Sequence, residues 1–232
     1  MPDAVRSLGR SLLVAMLALP VCGAGLAADD GSVRVNVGRR SLLLPPGYTA
    51  SGERLKAEDS SIGVKDVARV LANVETPRGR RAVLMLHAID TAGLFEWNFN
   101  CARLKSNEHR FVYNPVHAMH DECVVVIGPV GVAEMLAQLV PESAASPGLL
   151  NVGEVGYFVS ARYAMSTGSM LSAMAFVPGS LGGVAPVGKR PANASGVPDE
   201  TVDWALELGR EVRGAVRSFN GEWHLPPINE KE

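Results

Sequence analysis

Two pairs of apolar runs, each folded about a short polar turn, constrain this chain more than any other feature. Residues 66–75 (DVARVLANVE) and 81–89 (RAVLMLHAI) flank Thr76-Pro77-Arg78-Gly79-Arg80. Residues 155–165 and 170–177 flank Ser166-Thr167-Gly168-Ser169 in the same way. Apolar segments of this length on either side of a Gly- or Pro-bearing turn read as antiparallel hairpins. On propensity alone the 66–75 segment also suits a helix, and its turn-linked neighbour decides for strand. The 81–89 segment is apolar at both parities, which predicts a central strand covered on both faces.

Further strands follow from alternation. Val33, Val35 and Val37 alternate with polar residues, Gly38-Arg39-Arg40 turns, and residues 41–44 return, a third hairpin. Residues 122–127 (ECVVVI) predict a strand with Cys123, Val125 and Ile127 on one face. Phe95, Trp97 and Phe99 alternate with polar residues, predicting a half-buried strand whose parity carries through to Cys101. The polar stretch 49–65 is expected to hold a short helix, and residues 131–140 another, stopped by Pro141.

The clearest helix is the last. Pro198 suits a first turn, while Asp199, Glu200 and Asp203 place negative charge at the positive end of the helix dipole. Val202, Leu206, Gly209, Val212, Val216 and Phe219 form its apolar stripe, and Asn220-Gly221 stops it. Residues 178–198 are rich in glycine and proline and predict a flexible loop. The expected fold is therefore α+β: a mostly antiparallel sheet built from hairpins and covered by a C-terminal amphipathic helix, in one domain spanning residues 28–232.

The N-terminus predicts the compartment. Arg6 and Arg10 precede an apolar run from Leu12 to Leu19, and small residues from Gly23 to Ala28 follow. That order is a secretory signal peptide, expected to be cleaved after Ala27 or Ala28. The run falls short of the ~20 apolar residues of a spanning helix, so the mature chain is expected to lack a transmembrane helix. A net charge of −2 gives no electrostatic reason for nucleic-acid binding. Loss of Cys22 with the signal peptide leaves Cys101 and Cys123, which in an oxidising compartment are expected to form one disulfide. Closing that loop stabilises a fold by about 3 kcal/mol in the chain-entropy estimate.

HAMHDEC, residues 117–123, concentrates the reactive side chains. His117 and His120 are spaced to meet one zinc ion from a turn, with Asp121 or His109 completing the set. The segment lacks an HExxH template, and Cys123 has a better use in the bridge, so these four are read as loop residues and no metal or cofactor is expected. Residues 183–189 carry the glycine and lysine spacing of a phosphate loop, but Arg190 stands where Ser or Thr would hold magnesium. His87 lies inside an apolar strand and reads as a hydrogen-bonded core histidine. The aromatic stripe can line an apolar groove, and the basic turns Arg39-Arg40 and Arg78/Arg80/Arg81 can face lipid headgroups. Asn193-Ala194-Ser195 is a glycosylation sequon, meaningful only in a eukaryotic secretory pathway.

The signal peptide, the VRVNVGRRSLLLPPGY start, the two spaced cysteines and the WALELGREVRGAV helix resemble uncharacterised exported proteins of Gram-negative bacteria. That resemblance implies a periplasmic or envelope location and no catalytic residue. The leading expectation is a non-enzymatic exported module acting through binding or a structural interaction, with an envelope protein or lipid as the candidate contact. Two alternatives stand beside it: a small hydrolase with a serine or metal centre near His117, His120 and Asp121, and a carrier of an apolar ligand.

Overall fold

The computed structural model describes residues 32–55, 66–90, 97, 110–115, 119–131, 155–178 and 197–228. The hairpins form where the turns call for them. Strands β1 (Arg34–Val37) and β2 (Arg40–Leu43) pair about Gly38, whose φ of 59° suits a residue without a Cβ. Strand β3 (Thr49–Leu55) leads into β4 (Asp66–Glu75) and β5 (Arg81–Asp90), joined by the Thr76–Arg80 turn, where Thr76 N–H donates to the Arg80 carbonyl at 2.8 Å. Then come β6 (Arg110–Tyr113), β7 (His120–Gly131), β8 (Val155–Met165) and β9 (Ser169–Pro178). Helix α1 (Asp199–Arg217) and β10 (Glu222–His224) close the chain.

Seven strands make one antiparallel sheet in the order β3-β4-β5-β9-β8-β7-β6. The remaining three form a small sheet, β1-β2-β10, in which β10 runs parallel to β2. The architecture is α+β, a mostly antiparallel sheet with a C-terminal helix.

Strand periodicity divides the large sheet into two faces. One is paved by Val70, Leu84, Leu86, Val124, Val159 and Leu171, with the small residues Ala161, Ala173 and Ala175 in its middle. Helix α1 crosses β7, β8 and β9 on this face, while the small sheet lies over β4 and β5. The close approach of the helix depends on Gly209, since a Cβ there would stand 2.6 Å from Val124 Cγ2. The predicted stripe Val202, Leu206, Gly209, Val212 and Val216 is buried.

Polar clamps hold the layers in register. Arg40 shares the inward parity of Leu42 and Leu44, and its guanidinium meets both Asp90 carboxylate oxygens at 2.8 Å. Ser169 Oγ adds a bond to Asp90 at 3.3 Å. At the other end, Arg213 of α1 reaches buried Glu122 of β7 at 3.2 Å. The C-terminal segment is pinned twice: Trp204 Nε1 donates to the Pro226 carbonyl, and Ile228 N–H donates to Tyr48 Oη at 2.8 Å.

Several expectations are corrected. The stretch from Thr49 begins as strand β3, whose backbone pairs with β4, and residues 56–65, the rest of the stretch expected to hold a short helix, lie outside the described residues. Gly131 ends a strand instead of starting a helix. Trp97 lies in no strand; its indole N–H instead donates to the Met165 carbonyl at 2.8 Å. Phe219 falls beyond the helix end and is fully exposed, so the stripe stops at Val216. Arg40 is 5% exposed and ion-paired, so it is no headgroup contact. The expected signal peptide (1–27), the second expected helix (132–140), most of the expected glycine-rich loop (179–196), Phe95 and Phe99 lie outside the described residues.

Candidate functional site

The second face of the large sheet carries no packing from α1 or the small sheet, yet it is mostly apolar and buried. Leu71, Val83, Phe158, Phe176, Val125 and Ile127 belong to it, and the Phe158 and Phe176 rings meet across strands, tilted by 46° with centroids 5.2 Å apart. Across this face runs one polar row. Register pairs Arg69 with His87, His87 with Ser172, Ser172 with Arg162 and Arg162 with Cys123, so five adjacent strands each contribute one residue. Neighbours in such a row have Cβ atoms about 4.5–5.5 Å apart. Ser160 shares the face, two residues from Arg162 on β8.

Buried polar groups are normally satisfied, and these are not. His87 Nε2, Ser160 Oγ, Ser172 Oγ and Arg162 Nε are all buried without a hydrogen-bond partner. Ser160 and Ser172 are 1% and 2% exposed. No carboxylate among the described residues pairs with Arg162, and burial lowers its pKa below the usual arginine value. Uncompensated burial of a cation costs several kcal/mol, so a fold carries such a group at the expense of stability.

The same surroundings act on His87. Burial, then the charges of Arg69 and Arg162, lower its pKa from 6.5 to about 4, so it is neutral at pH 7. The reading of His87 as a satisfied core histidine is thereby corrected: it is half-buried and its Nε2 is unbonded. Because the unfolded chain takes up this proton first, stability is full above pH 6.5 and falls as pH drops towards 4. A shift of this size corresponds to about 2–3 kcal/mol after allowance for partial exposure. Urea denaturation at a series of pH values is expected to show that extra acid loss in the wild type and not in His87→Gln. Parallel pH profiles would refute a buried neutral imidazole.

Ser172 and His87 are register neighbours, yet no hydrogen bond joins them. A nucleophile–base pair needs that contact and a group to orient the base. The row instead presents donors: the Arg162 guanidinium lies beside the Ser172 hydroxyl in register, with the Ser160 hydroxyl two residues along β8.

Of the residues singled out in HAMHDEC, His120 and Asp121 belong to strand β7 and not to a loop. His120 begins β7 and rests against the Tyr163 ring at 5.1 Å on the helix-covered face, whereas Asp121 next to it points to the other face. Adjacent strand residues diverge, so these two cannot converge on one ion from the strand. Among the described residues no group of three or more His, Cys, Asp or Glu is placed to hold a metal. His109, His117 and Cys101 lie outside the described residues. Cys123 is buried at the end of the polar row, on the face shared with Val125 and Ile127, and is not a free thiol. No helix among the described residues is long and apolar enough to cross a membrane.

Sequence reasoning missed Arg69, Ser160, Arg162 and Ser172. A signal was present: Arg69, His87, Arg162 and Ser172 are isolated polar residues in apolar strands. Each pair also stands symmetrically about its hairpin turn. No known protein family, curated protein or solved structure matches the chain.

Proposed function

We propose that this chain is a non-enzymatic exported binding module that takes an anionic group on the second face of its sheet. The observation that carries the reading is Arg162, a largely buried cation with no carboxylate partner among the described residues, flanked by two buried unbonded hydroxyls. A bound carboxylate or phosphate would supply the missing charge and accept the unused hydrogen bonds. The basic, apolar and small-residue order of residues 1–27 supports delivery to the periplasm or cell envelope. We assign Cys101 as the partner of Cys123, consistent with that compartment.

The test uses the full mature chain and simple anions. Acetate and inorganic phosphate, titrated at constant ionic strength, are expected to raise the melting temperature saturably in the wild type. Arg162→Leu is expected to abolish that response and, without anion, to be more stable by about 1–3 kcal/mol, because an uncompensated buried charge is gone. A wild type indifferent to both anions, or a destabilised Arg162→Leu, would count against the reading.

A further inference from the structure

We infer that one end of the molecule docks on an anionic lipid surface, where Phe219 and Met119 enter the apolar layer and Arg217 meets the headgroups. This surface stands independently of the anion site. Among the described residues, Met119 and Phe219 are the large apolar side chains left exposed, at 68% and 111%. They are distant in sequence, yet the fold brings both to the end of the large sheet where β8 turns into β9. Ser166 N–H, in that turn, donates to the Met119 carbonyl at 3.1 Å. His120, next to Met119, rests on the Tyr163 ring. Burial raises the pKa of Tyr163 and the charge of Arg217 opposes it, which sets the C-terminal end of α1 beside the same ring. Phe219 follows two residues later. Ser41 N–H donates to the Gly221 carbonyl at 3.2 Å, tying this segment to the β1–β2 turn. Gly38 of that turn stands over Ala88 and Asp90, and Asp90 pairs with Ser169 just past the β8–β9 turn.

The charges at this end are sorted by exposure. Arg39 and Arg217 are exposed, and among the described residues no carboxylate pairs with Arg217. Asp90, Asp121, Glu122 and Glu222 are buried or half-buried. Arg40 holds Asp90, Arg213 holds Glu122 and Arg34 holds Glu222. What projects is therefore cationic or apolar. A lipid surface matches both: anionic headgroups attract arginine, and the acyl boundary takes projecting apolar side chains without a shaped groove. Burial there removes from water the hydrocarbon of Phe219 that the fold leaves outside. A second copy of this chain matches poorly, because a two-fold contact through this end would bring like charges together.

Vesicle co-sedimentation of the full mature chain tests the inference, using phosphatidylcholine alone and phosphatidylcholine mixed with phosphatidylglycerol. Binding is expected to the mixed vesicles, and to weaken as salt is raised. Phe219→Ser should weaken it about tenfold, Arg217→Gln about fivefold, and Met119→Ser by a smaller factor. All three side chains are exposed, so circular dichroism and thermal melting should stay close to wild type. Arg78→Gln, in the turn joining β4 and β5 at the opposite end of the sheet, should bind as the wild type does. No binding to mixed vesicles overturns the inference. An equal loss in Arg78→Gln does so too, since the attraction would then be diffuse charge. A dimer that Phe219→Ser dissociates in analytical ultracentrifugation, without vesicle binding, would make a second copy the occupant instead.

Discussion

Asp90→Ala is expected to destabilise the protein by about 3–5 kcal/mol, the cost of leaving a buried charge without its partner. Arg40 is 5% exposed, its inward position is set by strand parity, and both Asp90 oxygens are engaged by its guanidinium at 2.8 Å. Its Nε is already buried without a hydrogen bond, so nothing else compensates the charge. The pair also joins layers, because Arg40 belongs to the small sheet and Asp90 to the end of β5. Chemical denaturation should therefore show a larger loss for Asp90→Ala than for Arg40→Met, which removes the more deeply buried charge. The double variant Arg40→Met/Asp90→Leu should recover much of the deficit. A cost below 1 kcal/mol for Asp90→Ala would place the pair among surface ion pairs.

Trp204→Ala is the second large effect, with an expected loss of about 3–5 kcal/mol from transfer and cavity terms together. The indole is fully buried among α1, the large sheet and the returning C-terminal segment. Its Nε1 bond to Pro226 at 3.1 Å ties that segment to the helix. Trp204→Phe should cost less in packing but still leave the Pro226 carbonyl unpaired, at about 1–3 kcal/mol. Hydrogen exchange distinguishes the two contributions: in Trp204→Phe the Leu225 amide, which bonds the Leu43 carbonyl, should exchange faster than in the wild type. Unchanged exchange there would show that the other anchor, Tyr48 on Ile228, is enough to hold the segment.

The α+β class and the two long hairpins were legible because their causes are local. A turn of fixed length makes residues equidistant from its centre face each other. The pairs Arg69–His87 and Arg162–Ser172 were therefore already determined by the turns at Thr76–Arg80 and Ser166–Gly168. Period-two alternation likewise put Cys123, Val125 and Ile127 on one face, and amphipathic spacing with an acidic first turn gave α1. None of this says which strand edges meet. The pairing of β5 with β9, residues some eighty positions apart, brings His87 beside Ser172 and turns two separate polar pairs into one row.

The inward burial of Arg40 depends on Asp90, and the parallel strand β10 on the edge of β2 left open to it. Strand β3 carries too little apolar pattern to announce itself and takes its conformation from β4. The strand residues of HAMHDEC obey the same rule. Proximity along the chain gathers donors, but in a strand it sends neighbours such as His120 and Asp121 to opposite faces. The polar row instead joins two hairpin pairs, His87 meeting Ser172, through a pairing of residues distant in sequence that only long-range strand contact can supply.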